Sequence, residues 1–217
     1  MNVLFLKAVA LATMIIDHYG AIFHSGENIY RIIGRIAFPV YCFLLVEGYF
    51  HTSNVKKYGK RLLLFAFISE IPFDLAFYGN VGFAHQNIFF TLFIGLSAIY
   101  FLEKKDQKYN FDKRSLVIAA AGILAMVLSV DYSIMGVIYI LSFYFTRNFS
   151  KKRQLLYMAV IMLFTNLMSS PLQQFSLLAL PFIYFYNGEP GLKNKFLQIM
   201  FYAAYPLHLL LFYLLNK

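Results

Sequence analysis

Long apolar runs, broken at intervals by short basic or small polar clusters, cover nearly the whole chain. Nine such runs fall at about 4–22, 29–50, 61–79, 87–102, 115–130, 132–146, 154–168, 174–186 and 196–215. None alternates polar and apolar residues as a barrel strand does, so each is expected to be a helix. Runs near 20 residues match the thickness of a hydrocarbon core, whereas those under about 17 need tilt, shelter by neighbours or local thinning. Runs five and six are separated only by Asp131, so that pair reads either as two crossings or as a re-entrant hairpin. The first run has no basic leader beyond Lys7, ends in Asp17-His18 and is followed by no small-x-small site, which predicts an uncleaved span. No linker, repeat or low-complexity tract divides the chain. The expected fold is therefore all-α, a polytopic membrane helical bundle of about nine transmembrane helices, in a single domain over 1–217.

Composition excludes most other classes. The 217 residues are 60% hydrophobic, 19% aromatic and only 13% charged, with a mean hydropathy of +0.64. Soluble domains are about 45–50% apolar and about 25% charged. A secreted disulfide scaffold, a disordered tail and a nucleic-acid module are thereby ruled out, and nucleic acid is not an expected partner. Lipid is. The net charge of +9 is a matter of topology, because 15 of the 19 basic residues lie in even-numbered loops. They are Lys56, Lys57, Lys60 and Arg61, then Lys104, Lys105, Lys108, Lys113 and Arg114, then Arg147, Lys151, Lys152 and Arg153, and last Lys193 and Lys195. The odd-numbered loops carry none. Cytoplasmic loops retain Lys and Arg, so the N-terminus is expected inside and the C-terminus outside. The lone Cys42 cannot form an intramolecular disulfide and leaves the redox compartment open.

Ionisable groups inside spans are costly and mark paired or functional positions. Asp17 and His18 lie in the outer third of span one, Arg31 and Arg35 in outer span two, and Glu70 and Asp74 in middle and outer span three. Asn87 and Thr91 open span four, Asp131 ends span five, and Asn166 and His208 lie toward the outer ends of spans seven and nine. One cavity open to the outside would account for all of them. Arg31/Arg35 and Glu70/Asp74 are each spaced i, i+4, so the arginines are expected to neutralise the two carboxylates. Pro39 and Pro72 are candidates for kinks. Lys7 and His18, eleven residues apart, share one helix face about 16 Å apart along the axis. Lys7 has the alternative of snorkelling to inner headgroups, and Glu47 and His51 of being plain interface residues. His18 is the candidate general base, because an imidazole titrates near neutrality. No residue is assigned to a metal.

Several runs carry a resemblance. Lys7-Ala-Val-Ala-Leu-Ala-Thr-Met-Ile-Ile-Asp-His18, Ile33-Gly-Arg-Ile-Ala-Phe-Pro39 with Glu47-Gly48, and Tyr58-Gly-Lys-Arg61 through Ser69-Glu-Ile-Pro72 resemble the TraX family of bacterial membrane proteins, whose namesake N-acetylates conjugative pilin. Asn87-Ile-Phe-Phe-Thr-Leu92, Asp131-Tyr-Ser-Ile-Met-Gly136 and Tyr205-Pro-Leu-His208 extend the likeness over most of the chain. A basic residue eleven positions before a His in span one is also similar to the wider acyltransferase-3 type superfamily. Its members usually have about ten core spans and often Arg in the basic place, where this chain has nine and Lys7.

The resemblance implies a transmembrane acetyltransferase using acetyl-CoA as co-substrate. Its phosphates would lie near Lys56, Lys57, Lys60 and Arg61, and the pantetheine arm would pass Lys7 toward His18. His18 would deprotonate an amine or hydroxyl of an extracytoplasmic peptide or glycan, Asp17 would orient it, and Arg35 would stabilise the tetrahedral intermediate. Arg31, Glu70, Asp74, Asn87, Thr91, Asp131 and His208 would line the acceptor cavity. A covalent acetyl-His route is open too, as is a homo-oligomer. The rival classes are a proton- or ion-coupled transporter and a non-catalytic assembly partner.

Overall fold

The structure is a computed structural model that describes residues 1–104, 111–189, 191 and 194–217. Of the basic loop residues above, Lys105, Lys108 and Lys193 lie outside the described residues. The elements are α1 (Val3–Phe23), α2 (Asn28–Gly34), α3 (Ala37–His51), α4 (Val55–Tyr78), α5 (Ile88–Leu102), α6 (Phe111–Val127), α7 (Ser133–Thr146), α8 (Lys151–Asn166), a 3₁₀ helix (Pro171–Leu178) running into α9 (Ala179–Tyr184), and α10 (Lys195–Leu215). Among the described residues the only strand-like pairing is an isolated bridge between Gln86 and Val130. The chain is thus an all-α membrane bundle. Val3–Phe23, Asn28–His51 and Lys195–Leu215 are long and apolar enough to cross a membrane, and α5 and α7 are shorter apolar helices. Leu116, Phe164 and Leu207, each more than 60% exposed, belong to an apolar outer surface that water would not tolerate at this density.

Asparagines start four of the helices. Asn2, Asn54, Asn87 and Asn194 accept from the backbone N–H groups of Phe5, Lys57, Phe89 and Phe196, filling donors that a helix start leaves open. Gly79 closes α4 in the left-handed conformation, φ 73°.

The predicted loop alternation appears as two stitched ends. At one end, Met1 donates to Phe185 O and accepts from Asn187 N, Val3 N bonds Glu189 O, and Lys151 Nζ bonds Tyr186 O. Glu47 there accepts from Tyr186 and pairs with Arg147 at 3.5 Å. This end carries the basic clusters and is called the basic end. At the far end, Asp131 N donates to Gln86 O, Gly82 N to Asp74, and Arg35 to Gln173. No bond above joins an odd loop to an even one. The α6–α7 pair runs from Lys113 and Arg114 out to Asp131 at the far end and back to Arg147 beside Glu47 at the basic end.

Two spans differ from the regular helices expected. Span two breaks at Arg35–Ile36, ahead of Pro39 and not at it. The ring of Pro39 cannot sit against a helical carbonyl at position 35, and it has no N–H to offer it. Span eight is largely 3₁₀. At about 2.0 Å per residue against about 1.5 Å for an α-helix, its fourteen residues reach about 25 Å, so a short segment still connects the two ends.

Candidate active site

α1 and α2 approach closely because both supply glycine at the crossing. A Cβ on Gly20 would lie 2.2 Å from Tyr30 Cβ, and one on Gly34 would lie 2.1 Å from Asp17 Oδ1. That proximity puts Asp17 between two arginines. Arg31 Nη1 donates to Asp17 Oδ2 at 2.8 Å, and Arg35 Nη2 donates to Oδ1 at 2.6 Å. Arg35 also bonds Arg31 O through Nε and Gln173 Oε1 through Nη1. The arginines are therefore paired with Asp17 and not with Glu70 and Asp74.

Glu70 and Asp74 are used as fasteners. Glu70 accepts from the Asn87 side chain, whose amide also donates to Ala66 O, which fixes the start of α5 against α4. Asp74 accepts from Gly82 N, and the Thr91 hydroxyl donates to Asp131 O. Asn166 accepts from Tyr139 and donates to Gln173 O and Ser176 Oγ, holding α7, α8 and the 3₁₀ helix together. Glu70, Asp74, Asn87, Thr91, Asn166 and His208 line neither cavity described below, so the single cavity expected for all the polar residues is corrected: these six are hydrogen-bonded within the bundle instead.

Asp17 does not orient His18. Consecutive helix residues point about 100° apart, and both Asp17 oxygens are occupied. His18 faces α4 and α10, edge-on to Phe77 and Tyr205 at centroid distances of 5.3 and 5.8 Å. Its Nδ1 lies 2.7 Å from His208 Nε2, and His208 Nδ1 lies 2.7 Å from Ala204 O.

A cavity of about 400 Å³ opens at the far end, lined by Asp17, His18, Arg31, Arg35, Asp131, Gln173 and the rings of Phe77, Tyr132 and Tyr205, among others. A second, of about 480 Å³, opens at the basic end and carries Lys7, Glu47, His51, Arg61, Lys195 and the rings of Tyr58 and Tyr202. Met14, Tyr41, Ile88 and Tyr205 line both. On α1 the positions 7, 14 and 18 form one stripe, so Lys7 faces one cavity, Met14 both and His18 the other, as the eleven-residue spacing implied. Lys56, Lys57 and Lys60 are exposed at the start of α4 and line neither cavity; only Lys7 and Arg61 of the expected cation set do. Sequence reading missed Tyr41, Gln173 and Tyr205, which carry no signal in an apolar, aromatic-rich chain. Among the described residues no group of three His, Cys, Asp or Glu could hold a metal ion, and Cys42 is buried and free.

The turn between α6 and α7 is strained where it meets the far-end cavity. Ser129, Tyr132 and Ser133 all have positive φ, and Tyr132 stacks on Phe38 at 3.7 Å. Burial pushes the Asp131 carboxyl in this turn up to about 6, against the pull of Arg35. A carboxyl whose folded-state affinity for protons is raised stabilises the fold below the ordinary carboxylate range, and that stability is lost as pH rises through about 6. Asp131→Asn should therefore raise the melting temperature above that pH and leave it nearly unchanged well below. An unchanged difference between variant and wild type across the range would contradict this placement of the carboxyl.

Buried ion pairing, a histidine dyad and opposed cavities inside a helical membrane bundle define a membrane protein with a site between its two faces. The chain belongs to the TraX family: the TraX protein model matches residues 3–216. It is 28% identical over 237 aligned positions to the probable fimbrial assembly protein FimC, serogroup H1, of Dichelobacter nodosus, covering 95% of this chain and 92% of that one. It is also 31% identical over 107 positions to an uncharacterized protein of Rickettsia prowazekii (strain Madrid E), covering 49% of this chain and 40% of the other. No solved structure matches it significantly.

Proposed function

We propose that this protein is a multi-pass acetyltransferase of the bacterial cytoplasmic membrane, moving an acetyl group from acetyl-CoA at its basic, cytoplasmic end to an acceptor at its far, extracytoplasmic end. The observation that supports this most is the pair of cavities sharing Met14, Tyr41, Ile88 and Tyr205, with cations on one side and His18 on the other. The basic-end volume lies within the range of about 300–1,000 Å³ usual for small-molecule sites. Arg61 and Lys7 both line it, Lys7 between Leu4 and Met14 on the α1 face that borders the cavity. These suit the pyrophosphate and polar pantetheine arm of a CoA thioester. The exposed Lys56, Lys57 and Lys60 add positive potential around the entrance.

At the shared wall the acceptor nitrogen or oxygen attacks the thioester carbonyl and gives its proton to His18. The tetrahedral intermediate then collapses, the carbon–sulfur bond breaks, and the thiolate takes that proton to leave as CoA-SH. Arg31 and Arg35 line the receiving cavity; Arg31 keeps Nε and Nη2 unbonded to any described residue, and these N–H groups suit an oxyanion or an acceptor carbonyl. The fimbrial assembly name of the Dichelobacter nodosus relative favours an acceptor that is part of a surface appendage, a peptide or its glycan.

Reconstituted protein tests the reading. Acetyl-CoA and CoA should raise its melting temperature, and acetyl label should pass to acceptor peptides sealed on the opposite side of the bilayer. An unshifted melting curve together with unlabelled acceptors would defeat it. Acceptor flux without CoA would favour the transporter, and neither binding nor flux the assembly partner.

A further inference from the structure

We propose that His208 is a positioning residue which holds His18 in one tautomer, with the proton on Nδ1 and the lone pair on Nε2. The consequence for rate rests on the acetyl-transfer reading; the tautomer itself does not.

The argument starts from the backbone. The carbonyl oxygen of Ala204 can only accept, so the contact at 2.7 Å places a hydrogen on His208 Nδ1. A neutral imidazole protonated at Nδ1 has its lone pair on Nε2. That Nε2 lies 2.7 Å from His18 Nδ1, so His18 must be the donor. The two rings are only 11° from parallel planes, which brings the N–H and the lone pair into nearly one plane. With its Nδ1 hydrogen committed, His18 is left with an unprotonated Nε2. This atom bonds to no described residue and is not among the sealed, unpartnered polar atoms, so it is reached from the far-end cavity that His18 lines.

A histidine free in water favours the other tautomer, with hydrogen on Nε2, which would occupy the atom a general base needs. In many catalytic pairs a carboxylate prevents that. Here the adjacent carboxylate, Asp17, has both oxygens bound to Arg31 and Arg35 and is turned away on α1. His208 does the same job as a neutral acceptor. The Ala204–His208–His18 chain is anchored in α10, one turn around Pro206, so it is carried by the helix and not by a loop. When His18 accepts a proton at Nε2, its Nδ1–H bond to His208 stays in place and becomes charge-assisted. Phe77 and Tyr205 limit rotation of the ring out of this arrangement.

Nitrogen-15 NMR of the full chain in nanodiscs, labelled on histidine, reads the tautomer directly. The chain has five histidines, so the His18 signals are assigned by their loss in His18→Gln. In mildly alkaline buffer, wild-type His18 should show a protonated Nδ1 and an unprotonated Nε2. His208→Met, close in volume but without an acceptor, should shift His18 toward the Nε2–H form and lower acetyl transfer by about 10²–10⁴-fold, the range a general base contributes. His208→Gln places an amide oxygen where Nε2 was, and should restore the wild-type tautomer and activity to within about tenfold. Wild-type His18 in the Nε2–H form, or a tautomer unaltered in folded His208→Met, overturns the proposal. The expected tautomer in a protein that transfers no acetyl group upholds the dyad and removes only the acetyl-transfer reading.

Discussion

His18→Gln is expected to lower acetyl transfer by about 10²–10⁴-fold while leaving the folded protein and its CoA-induced thermal shift intact. Glutamine keeps a polar side chain of similar length between α1 and α10, so the packing beside His208 survives the loss of the base. The basic-end cavity is not disturbed either, since His18 does not line it. The measurement is transfer of labelled acetyl groups to an acceptor at matched amounts of protein, beside a melting curve with and without CoA. Undiminished turnover would remove His18 from the chemistry. Loss of the CoA shift along with turnover would mean that the variant damages the bundle as a whole.

Asp17→Ala has the largest expected effect on stability, about 3 kcal/mol. It leaves the guanidiniums of Arg31 and Arg35 without their shared counter-charge in a region where Arg35 keeps only 12% of its side chain exposed. The value falls at the low end for broken buried pairs because Arg31 remains 30% exposed. Gly34→Ala should be about as damaging without replacing any charged residue, since its Cβ would displace the Asp17 carboxylate from the same position. Melting temperatures of the two variants in nanodiscs are the test. If both matched the wild type, the triad would not be what fixes α2 on α1, and the glycine crossing would have room to spare. Asp17→Asn, which retains an acceptor for one arginine, should fall between them and the wild type.

The bundle was legible for reasons that are one-dimensional. A bilayer leaves helices as the solution for long apolar runs, and basic residues kept to one side label the loops in order. The loop at Gln86 then meets the turn at Asp131, and the N-terminus is tied to the loop after Tyr184. The stripe of Lys7 and His18 was equally legible, because a helix of constant pitch converts spacing into a face. The pairing of the polar residues was not. Arg31 and Arg35 match Glu70 and Asp74 in spacing and charge, yet their partner is Asp17, fourteen and eighteen residues away and set between them by Gly20 and Gly34. Spacing says which residues share a face and nothing of which face is opposite.

The amino-acid order alone determined the class of molecule, the succession of apolar helices, the gathering of the basic clusters at one end and the helix face that carries His18. These depend on local periodicity and on composition, which the bilayer reads run by run. The three-dimensional packing decided what that face meets: a second histidine 190 residues along the chain, rings from α4 and α10, and a wall shared by two cavities. It also decided that Asp17 is held by arginines and that span eight stretches into a 3₁₀ helix to reach the other end. Such contacts depend on the rotation and crossing of whole helices, which many weak contacts along their lengths set together, so no short stretch of sequence encodes them.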